Sequence, residues 1–327
     1  MRKLATVSII LTVIVLSLAG CGNKDNTVIT STSSKISDNG KKKVYVVLKS
    51  LDSEYFKFIE AGANAAFKDF NVDGTVIAPN DQTKYMEQIN MLEDLLNQNP
   101  AGVVLTPSQP KTVIPILKEF KKKNIPVALL DSDVDSEDKI TFIGNDDVNA
   151  GREAGEILAS KLKSGDEVAI LEGISGTPTS ADRVKGAKEA LEKAGLKVVA
   201  SQAADWDRVK ATSVMEDILQ AHPGIKGVIG ANDEMALGAL KASKTRGKEI
   251  VSVGMDGITE AVDSISQGNL SATVAVKTYD MGYKGVESIV KSLSGEKVDK
   301  KIVTDLDVVT KENAKEKLEV LNKLLGK

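Results

Sequence analysis

The sequence predicts an α/β protein built as two doubly wound parallel-sheet domains, and three observations carry that prediction. The chain has 327 residues, more than one hydrophobic core normally organises, so two domains are expected. From Val44 onward, short β-branched runs alternate with amphipathic segments of helix length, the order that gives βαβ units with right-handed crossovers. The β-type runs are continuously apolar rather than alternating, as befits strands covered on both faces.

The chain opens on an address. Met1-Arg2-Lys3 is basic, Leu4 to Leu18 is nearly all apolar, and Leu18-Ala19-Gly20 sets small residues before Cys21. This is the layout of a secretory signal over residues 1–20. The apolar run also approaches the length of a membrane span. Cys21 argues against an uncleaved span, because Leu-Ala-Gly-Cys resembles the bacterial lipobox. That resemblance implies that the cysteine sulfur receives a diacylglycerol and becomes the new N-terminus, anchoring the protein to the outer face of the cell membrane without a spanning helix. Residues 22–43 are rich in Ser, Thr, Asn, Asp, Gly and Lys. Such a segment cannot bury a core and reads as a flexible tether with a reach of roughly 25 Å.

The first series of strands is expected at Val44–Leu48, Thr75–Ala78, Gly102–Leu105, Val127–Leu130 and Ile140–Ile143. The second is expected at Glu167–Leu171, Lys197–Ser201, Gly227–Ile229, Ile250–Val253 and Ala272–Val276. Helices fill the gaps. Tyr55–Phe70 sets Phe56, Ile59, Ala63 and Phe67 on one stripe, and Gln82–Gln98 does so with Ile89, Leu92, Leu95 and Leu96. Further helices are expected at Gly151–Leu162, Ala181–Ala194, Asp207–Ala221, Glu234–Ser243 and Asp280–Leu293. A last one, about Lys311–Leu325, reads as a packing helix through Leu318, Leu321 and Leu325.

Composition narrows the function. The formal net charge is -3, and no basic run extends beyond Lys41-Lys42-Lys43, so the electrostatic footprint of a nucleic-acid binder is missing. One cysteine and one histidine exclude an internal disulfide and any His/Cys metal cluster. His222, in Ala221-His222-Pro223-Gly224, reads as a solvated turn residue. No cofactor and no catalytic constellation is expected: HExxH, GxSxG and the phosphate-binding GxxxxGK[ST] are all absent.

In open α/β sheets, ligands bind beyond the carboxyl ends of the strands, and here those ends are polar. They carry Lys49-Ser50-Leu51-Asp52-Ser53-Glu54-Tyr55-Phe56, Asp131-Ser132-Asp133, Glu172-Gly173-Ile174-Ser175-Gly176-Thr177 running on to Asp182-Arg183, Asp205-Trp206-Asp207, Asn232-Asp233-Glu234, Met255-Asp256-Gly257 and Lys277. Carboxylates, amides and a guanidinium suit a polyol, whose hydroxyls both donate and accept. Aromatic faces suit the C–H faces of a sugar ring. Each residue also has a plainer reading. Asp52, Ser53, Asp131, Asp207 and Asp233 are natural helix caps, and at least one of Tyr55 and Phe56 is expected to be mostly core. Trp206 is the sharper case, as the single tryptophan and set between two aspartates in a loop.

Ala203-Ala204-Asp205-Trp206-Asp207-Arg208, Ala231-Asn232-Asp233-Glu234-Met235-Ala236-Leu237-Gly238-Ala239-Leu240 and Val253-Gly254-Met255-Asp256-Gly257 resemble the ribose-binding branch of the periplasmic sugar-binding proteins. Gly173-Ile174-Ser175-Gly176-Thr177 and Ala272-Thr273-Val274 fit as well, and the similarity runs from about residue 44 to 309. The resemblance implies two lobes joined by three hinge strands: an N-terminal lobe of 44–145 plus 277–306, and a C-terminal lobe of 146–276 plus 307–327. It implies ligand contacts at Ser53, Tyr55, Phe56, Asp131, Arg183, Trp206, Asn232 and Asp256.

The family pattern has a small polar residue where Lys49 stands, an Arg where Ser132 stands and a Gln where Val276 stands. A compensating swap, with Lys49 bonding to ligand or to Asp131, puts Lys49 in the site as well and ribose itself in doubt. Lys49 with Asp131-Ser132-Asp133 also resembles autoinducer-2 receptors of the same fold. The implied function is a monomeric substrate-binding lipoprotein of an ABC-type sugar importer, with a small sugar or polyol and the permease membrane subunits as partners. A sensor linked to a chemoreceptor is the alternative. A sugar-responsive repressor would need a helix-turn-helix ahead of the body, and a dinucleotide enzyme would need a Gly-rich turn after the first strand; neither is present.

Overall fold

The computed structural model describes residues 35–37 and 39–327; the expected export signal, Cys21 and most of the expected tether lie outside the described residues. β1 (Lys43–Val47) leads into α1 (Glu54–Asp69), β2 (Asp73–Ile77), α2 (Tyr85–Gln98), β3 (Gly102–Leu105), a 3-10 turn at Pro110–Val113, α3 (Ile114–Lys122), β4 (Val127–Leu130) and β5 (Thr141–Gly144). Then follow α4 (Asp147–Ala159), β6 (Glu167–Glu172), α5 (Pro178–Lys193), β7 (Lys197–Ala203), α6 (Arg208–Ala221), β8 (Gly227–Gly230), α7 (Asp233–Thr245), β9 (Val251–Asp256), α8 (Thr259–Ser266) and β10 (Ala272–Val276). The chain finishes with α9 (Thr278–Leu293), β11 (Lys301–Val303), β12 (Leu306–Val309) and α10 (Ala314–Leu324).

Two six-stranded sheets result, in the orders β2-β1-β3-β4-β5-β11 and β7-β6-β8-β9-β10-β12. Their pairing is parallel except for β12, which runs antiparallel to β10 with Thr273 opposite Val309. The chain passes between the sheets three times: after β5, after β10, and between β11 and β12. α9 packs back onto α1 and the first sheet, and α10 packs on α8.

The continuous apolar runs do what strands buried on both faces require. In the first sheet Val44, Val46, Val104, Ala128 and Leu130 join α1 and α9 in one core. The intervening Val47, Val103, Leu105, Val127 and Leu129 join α2 and α3 in another. Successive side chains therefore serve opposite layers.

The structure adds α3, α8, β11 and β12 to the elements expected from the pattern. It also starts α4 at Asp147, four residues before the expected Gly151, and α2 at Tyr85 rather than Gln82. α4 and α5 are drawn unusually close. A Cβ on Gly151 would stand 2.0 Å from the Arg183 carbonyl oxygen, and one on Gly186 would stand 2.0 Å from that of Val148. That proximity sets the Arg183 side chain over the first turn of α4.

Candidate functional site

The strand order of each sheet places a switch point between its first strand and its third, β1 beside β3 and β6 beside β8, and the loops at those strand ends face one another. Between them is a cavity with an empty volume of ≈ 420 Å³. All nine residues expected from the sequence line it: Lys49, Ser53, Tyr55, Phe56 and Asp131 from the first lobe, and Arg183, Trp206, Asn232 and Asp256 from the second.

The first-lobe wall is organised by Asp131. It follows β4 with a φ of 62°, a conformation that non-glycine residues seldom adopt. It caps no helix. Instead, Lys49 Nζ lies 2.5 Å from its Oδ2, and the Tyr55 hydroxyl donates to its Oδ1 at 2.6 Å. Lys49 also donates to Ser132 Oγ at 2.8 Å. Burial pushes the Asp131 carboxyl up, but the Lys49 ammonium and the Tyr55 bond outweigh it and hold it below the usual carboxylate range. Burial, reinforced by Asp131, drives the Tyr55 phenol well above its ordinary value, so it stays a donor. Tyr55 and Phe56 are both buried in the core and still present ring surface to the cavity, meeting edge to face at 5.2 Å.

The second-lobe wall is organised by Arg183, which is 2% exposed. Its Nε donates to Asp147 Oδ1 at 3.0 Å, and its Nη1 donates to the Ala231 carbonyl at 2.8 Å and to Asp256 Oδ1 at 2.7 Å. Burial opposes the guanidinium charge, yet Asp256 and Asp147 outweigh it and raise the Arg183 pKa well above normal. Burial raises the Asp256 carboxyl to about 6 despite Arg183, and it raises Asp147 as well. Asp256 reaches Arg183 through a strained backbone, with φ 116° followed by Gly257 at 78°. The buried Asp233 braces that turn, its Oδ2 accepting from the amides of Gly257 (2.7 Å) and Ile258 (2.9 Å).

Trp206 is held by two consecutive left-handed residues, Asp205 (φ 54°) and itself (φ 65°). The Arg183 guanidinium carbon lies 5.8 Å from its ring centroid, within cation–π range. Asn232 caps α7 through Met235 N–H at 2.9 Å and turns its amide nitrogen toward the Trp206 carbonyl at 3.4 Å. Asp207 caps α6, accepting from Lys210 N–H.

Gly173 makes room for the indole, since a Cβ there would lie 2.0 Å from Trp206 Cζ2. Gly173→Ala is therefore expected to displace the ring at a cost of about 1–3 kcal/mol. The check is tryptophan emission and ligand affinity; an unchanged spectrum with unchanged affinity would show that the ring does not need this gap.

Gln82 and Thr179 also line the cavity, and Asp147 supports it from behind. The sequence pattern missed all three. Gln82 reads as the start of a helix that in fact begins three residues later, and Thr179 lies between the Gly173–Thr177 motif and Asp182-Arg183. Asn145-Asp146-Asp147 follows β5, a polar strand end like the one that marks Asp131. Other polar strand-end residues turn elsewhere. Glu234 pairs with Arg208 at 2.6 Å, Asp133 pairs with Lys139 at 2.9 Å, and Lys277 sits 3.7 Å from Asp307 beside the crossings between the sheets.

Comparison with known proteins agrees with this architecture. The model of the periplasmic binding protein domain matches residues 44–297. The ribose import binding protein of Escherichia coli (strain K12) is 33% identical over 283 residues, which cover 86% of this chain and 95% of that protein. A periplasmic solute-binding protein of an ABC transporter from Actinobacillus succinogenes 130z, solved with bound D-allose, superposes with a TM-score of 0.80 at 28% identity, covering 84% of this chain and 99% of its own. The binding component of the arabinose ABC transporter from Shewanella sp. ANA-3, bound to L-arabinofuranose, gives a TM-score of 0.81 at 28% identity, covering 87% and 97%. With its two like-ordered sheets and the cavity between them, the chain belongs to the periplasmic binding protein family, in its ribose-binding-like branch.

Proposed function

We propose that this protein is the sugar-capturing component of an ABC-type importer, closing its lobes around one small neutral monosaccharide or polyol through Lys49, Ser53, Tyr55, Phe56, Asp131, Arg183, Trp206, Asn232 and Asp256. The observation that carries the reading is the balance of the cavity wall. Lys49 and Arg183 are matched by Asp131 and Asp256, with the aromatic surfaces of Phe56 and Trp206 beside them. A wall neutral in sum but dense in donors and acceptors fits a guest with many hydroxyls and no charge. Closure dries the site, and selectivity follows from the cost of leaving any of those groups unpaired. The relatives with bound D-allose and L-arabinofuranose support the same ligand class.

The lobes are assigned as 44–145 with 277–306 and 146–276 with 307–327. The protein is read as a monomer exported and tethered by a lipid on Cys21, delivering its guest to the permease subunits. The relatives act in binding and transport rather than catalysis. The Lys49–Asp131–Ser132 cluster favours a second reading, an autoinducer-2-type or chemoreceptor-linked sensor.

The experiment is a calorimetric panel of pentoses, hexoses, polyols and autoinducer-2, with Trp206 emission as an independent readout. Failure of every compound to bind would overturn the reading, and a response to autoinducer-2 alone would select the sensor.

Two further outcomes are expected. Sugar hydroxyls donate to the ionised form of Asp256, so binding lowers that group's pKa and releases a proton wherever the empty site holds one. Affinity should be flat above pH 6–7 and roughly tenfold weaker at pH 5 than at pH 7; titrations across this range that show no loss on the acid side would refute the assignment. Cys21→Ser should move the protein from the membrane fraction to the soluble exported fraction, and retention on membranes would argue for an uncleaved span.

A further inference from the structure

Outside the cavity, the first turn of α1 meets the first turn of α8 from the opposite lobe. Glu54 Oε2 accepts the Thr259 N–H at 2.6 Å, and its Oε1 lies 3.6 Å from Lys327 Nζ. Four residues on, one helical turn along the same face, Phe58 is buried in a cluster with Ile258, Val262 and Leu321 of the second lobe. The Thr259 hydroxyl is buried with no hydrogen-bond partner among the described residues, and Glu54 and Thr259 together line a groove that opens on the outer side of the seam. Glu54 does not line the cavity.

Both helices present their N-termini to this seam. Each such end carries unsatisfied N–H groups and a partial positive charge, so bringing the two together without an anion between them is unfavourable. Glu54 supplies the anion and satisfies the leading amide of α8 directly. The two partners of this contact belong to different sheets, so opening of the lobes is expected to separate them. It is also continuous with the site: Thr259 follows Asp256-Gly257-Ile258, the turn that Asp233 braces and that carries the Asp256 carboxylate to Arg183.

We propose that Glu54 is a positioning residue that latches the closed form, raising affinity for every guest by one common factor without touching any of them. The inference rests on the sugar-capture reading for its ligands but not for its latch. A group that stabilises only the closed state multiplies all affinities equally, whereas a residue in the cavity wall changes the ratios between sugars.

The test compares Glu54→Ala and Glu54→Gln with the unaltered protein. It measures dissociation rate and affinity for the three best sugars of the panel, and amide exchange at Thr259 both with and without sugar. Glu54→Ala should weaken each sugar by about the same tenfold factor, through faster dissociation. Glu54→Gln, which keeps an acceptor but loses the charge, should fall between, and it carries the test if the alanine variant folds poorly. Exchange at Thr259 should quicken in both. Affinities within twofold of the unaltered protein, losses that differ between sugars, or unchanged exchange at Thr259 would each overturn the latch. If no sugar binds but exchange at Thr259 still responds, the sugar reading fails and the latch stands.

Discussion

Arg183→Ala is expected to reduce affinity for the best sugar at least about a thousandfold, the scale of removing one member of a buried, hydrogen-bonded ion cluster. The arginine joins Asp147, Asp256 and the Ala231 carbonyl in one fork and lies against Trp206. Its removal leaves two buried carboxylates with no cation between them. Asp256 already holds its proton up to about pH 6 with the arginine present, so in the variant it should be protonated at neutral pH and lose its role as a charged acceptor. Part of the stability cost is relieved by that protonation, so a fall in stability of about 2–4 kcal/mol is expected rather than the full penalty of an isolated charge. Arg183→Lys restores charge without the planar fork and should recover stability more than affinity. Denaturant melts and calorimetry check both. Affinity within tenfold of the unaltered protein for Arg183→Ala would remove this residue from the site.

Lys49→Met should cost about 3 kcal/mol of stability at neutral pH, because it strands Asp131 with only a phenol and a serine hydroxyl for company. Asp131 sits below the usual carboxylate range in the folded protein. Its paired form therefore stabilises the fold above the unfolded carboxylate pKa, and that contribution disappears as pH falls through the depressed folded value. Without Lys49, burial lifts the Asp131 carboxyl instead, so it takes up a proton already in mild acid and the deficit of Lys49→Met should shrink between pH 7 and pH 4. Adding Asp131→Asn removes the stranded charge and should recover much of the loss, so the double-variant cycle reports the coupling of this pair. Urea melts at pH 7 and pH 4 test it, and losses that add independently would show that Lys49 and Asp131 do not depend on each other.

The fold was legible because its central strands, such as β3, β4, β8 and β10, are buried on both faces, so each of those reads as an unbroken run of apolar and small residues with no alternation to blur it. The elements that escaped are those without such a signal. β11 has three residues, two of them exposed, and α8 has only eight residues. The first turn of α4, Asp147-Val148-Asn149-Ala150, opens on Asp146-Asp147 and carries no apolar stripe, so it reads as loop. The members of the site were visible as polar residues at strand ends, but their partnerships were not. Nothing in the spacing of Arg183 and Asp147 announces a bond, because the close approach of α4 and α5 at Gly151 and Gly186 is what makes it. Nor do Asp131, Trp206 and Asp256 advertise their positive φ values; a left-handed aspartate looks like any other in sequence. The swap of Lys49 for the cation missing at Ser132 was readable as a possibility, and the structure supplies the bond itself.

The threefold passage of the chain between the sheets has a consequence for biosynthesis. The first sheet takes its edge strand from Lys301–Val303 and one of its covering helices from Thr278–Leu293, so its layers cannot be finished until nearly the whole polypeptide has been made. An exported chain must stay threadable until it has left the cytoplasm. Here the wiring itself postpones completion, keeping the nascent protein pliable for the translocation channel and reserving final assembly for the far side.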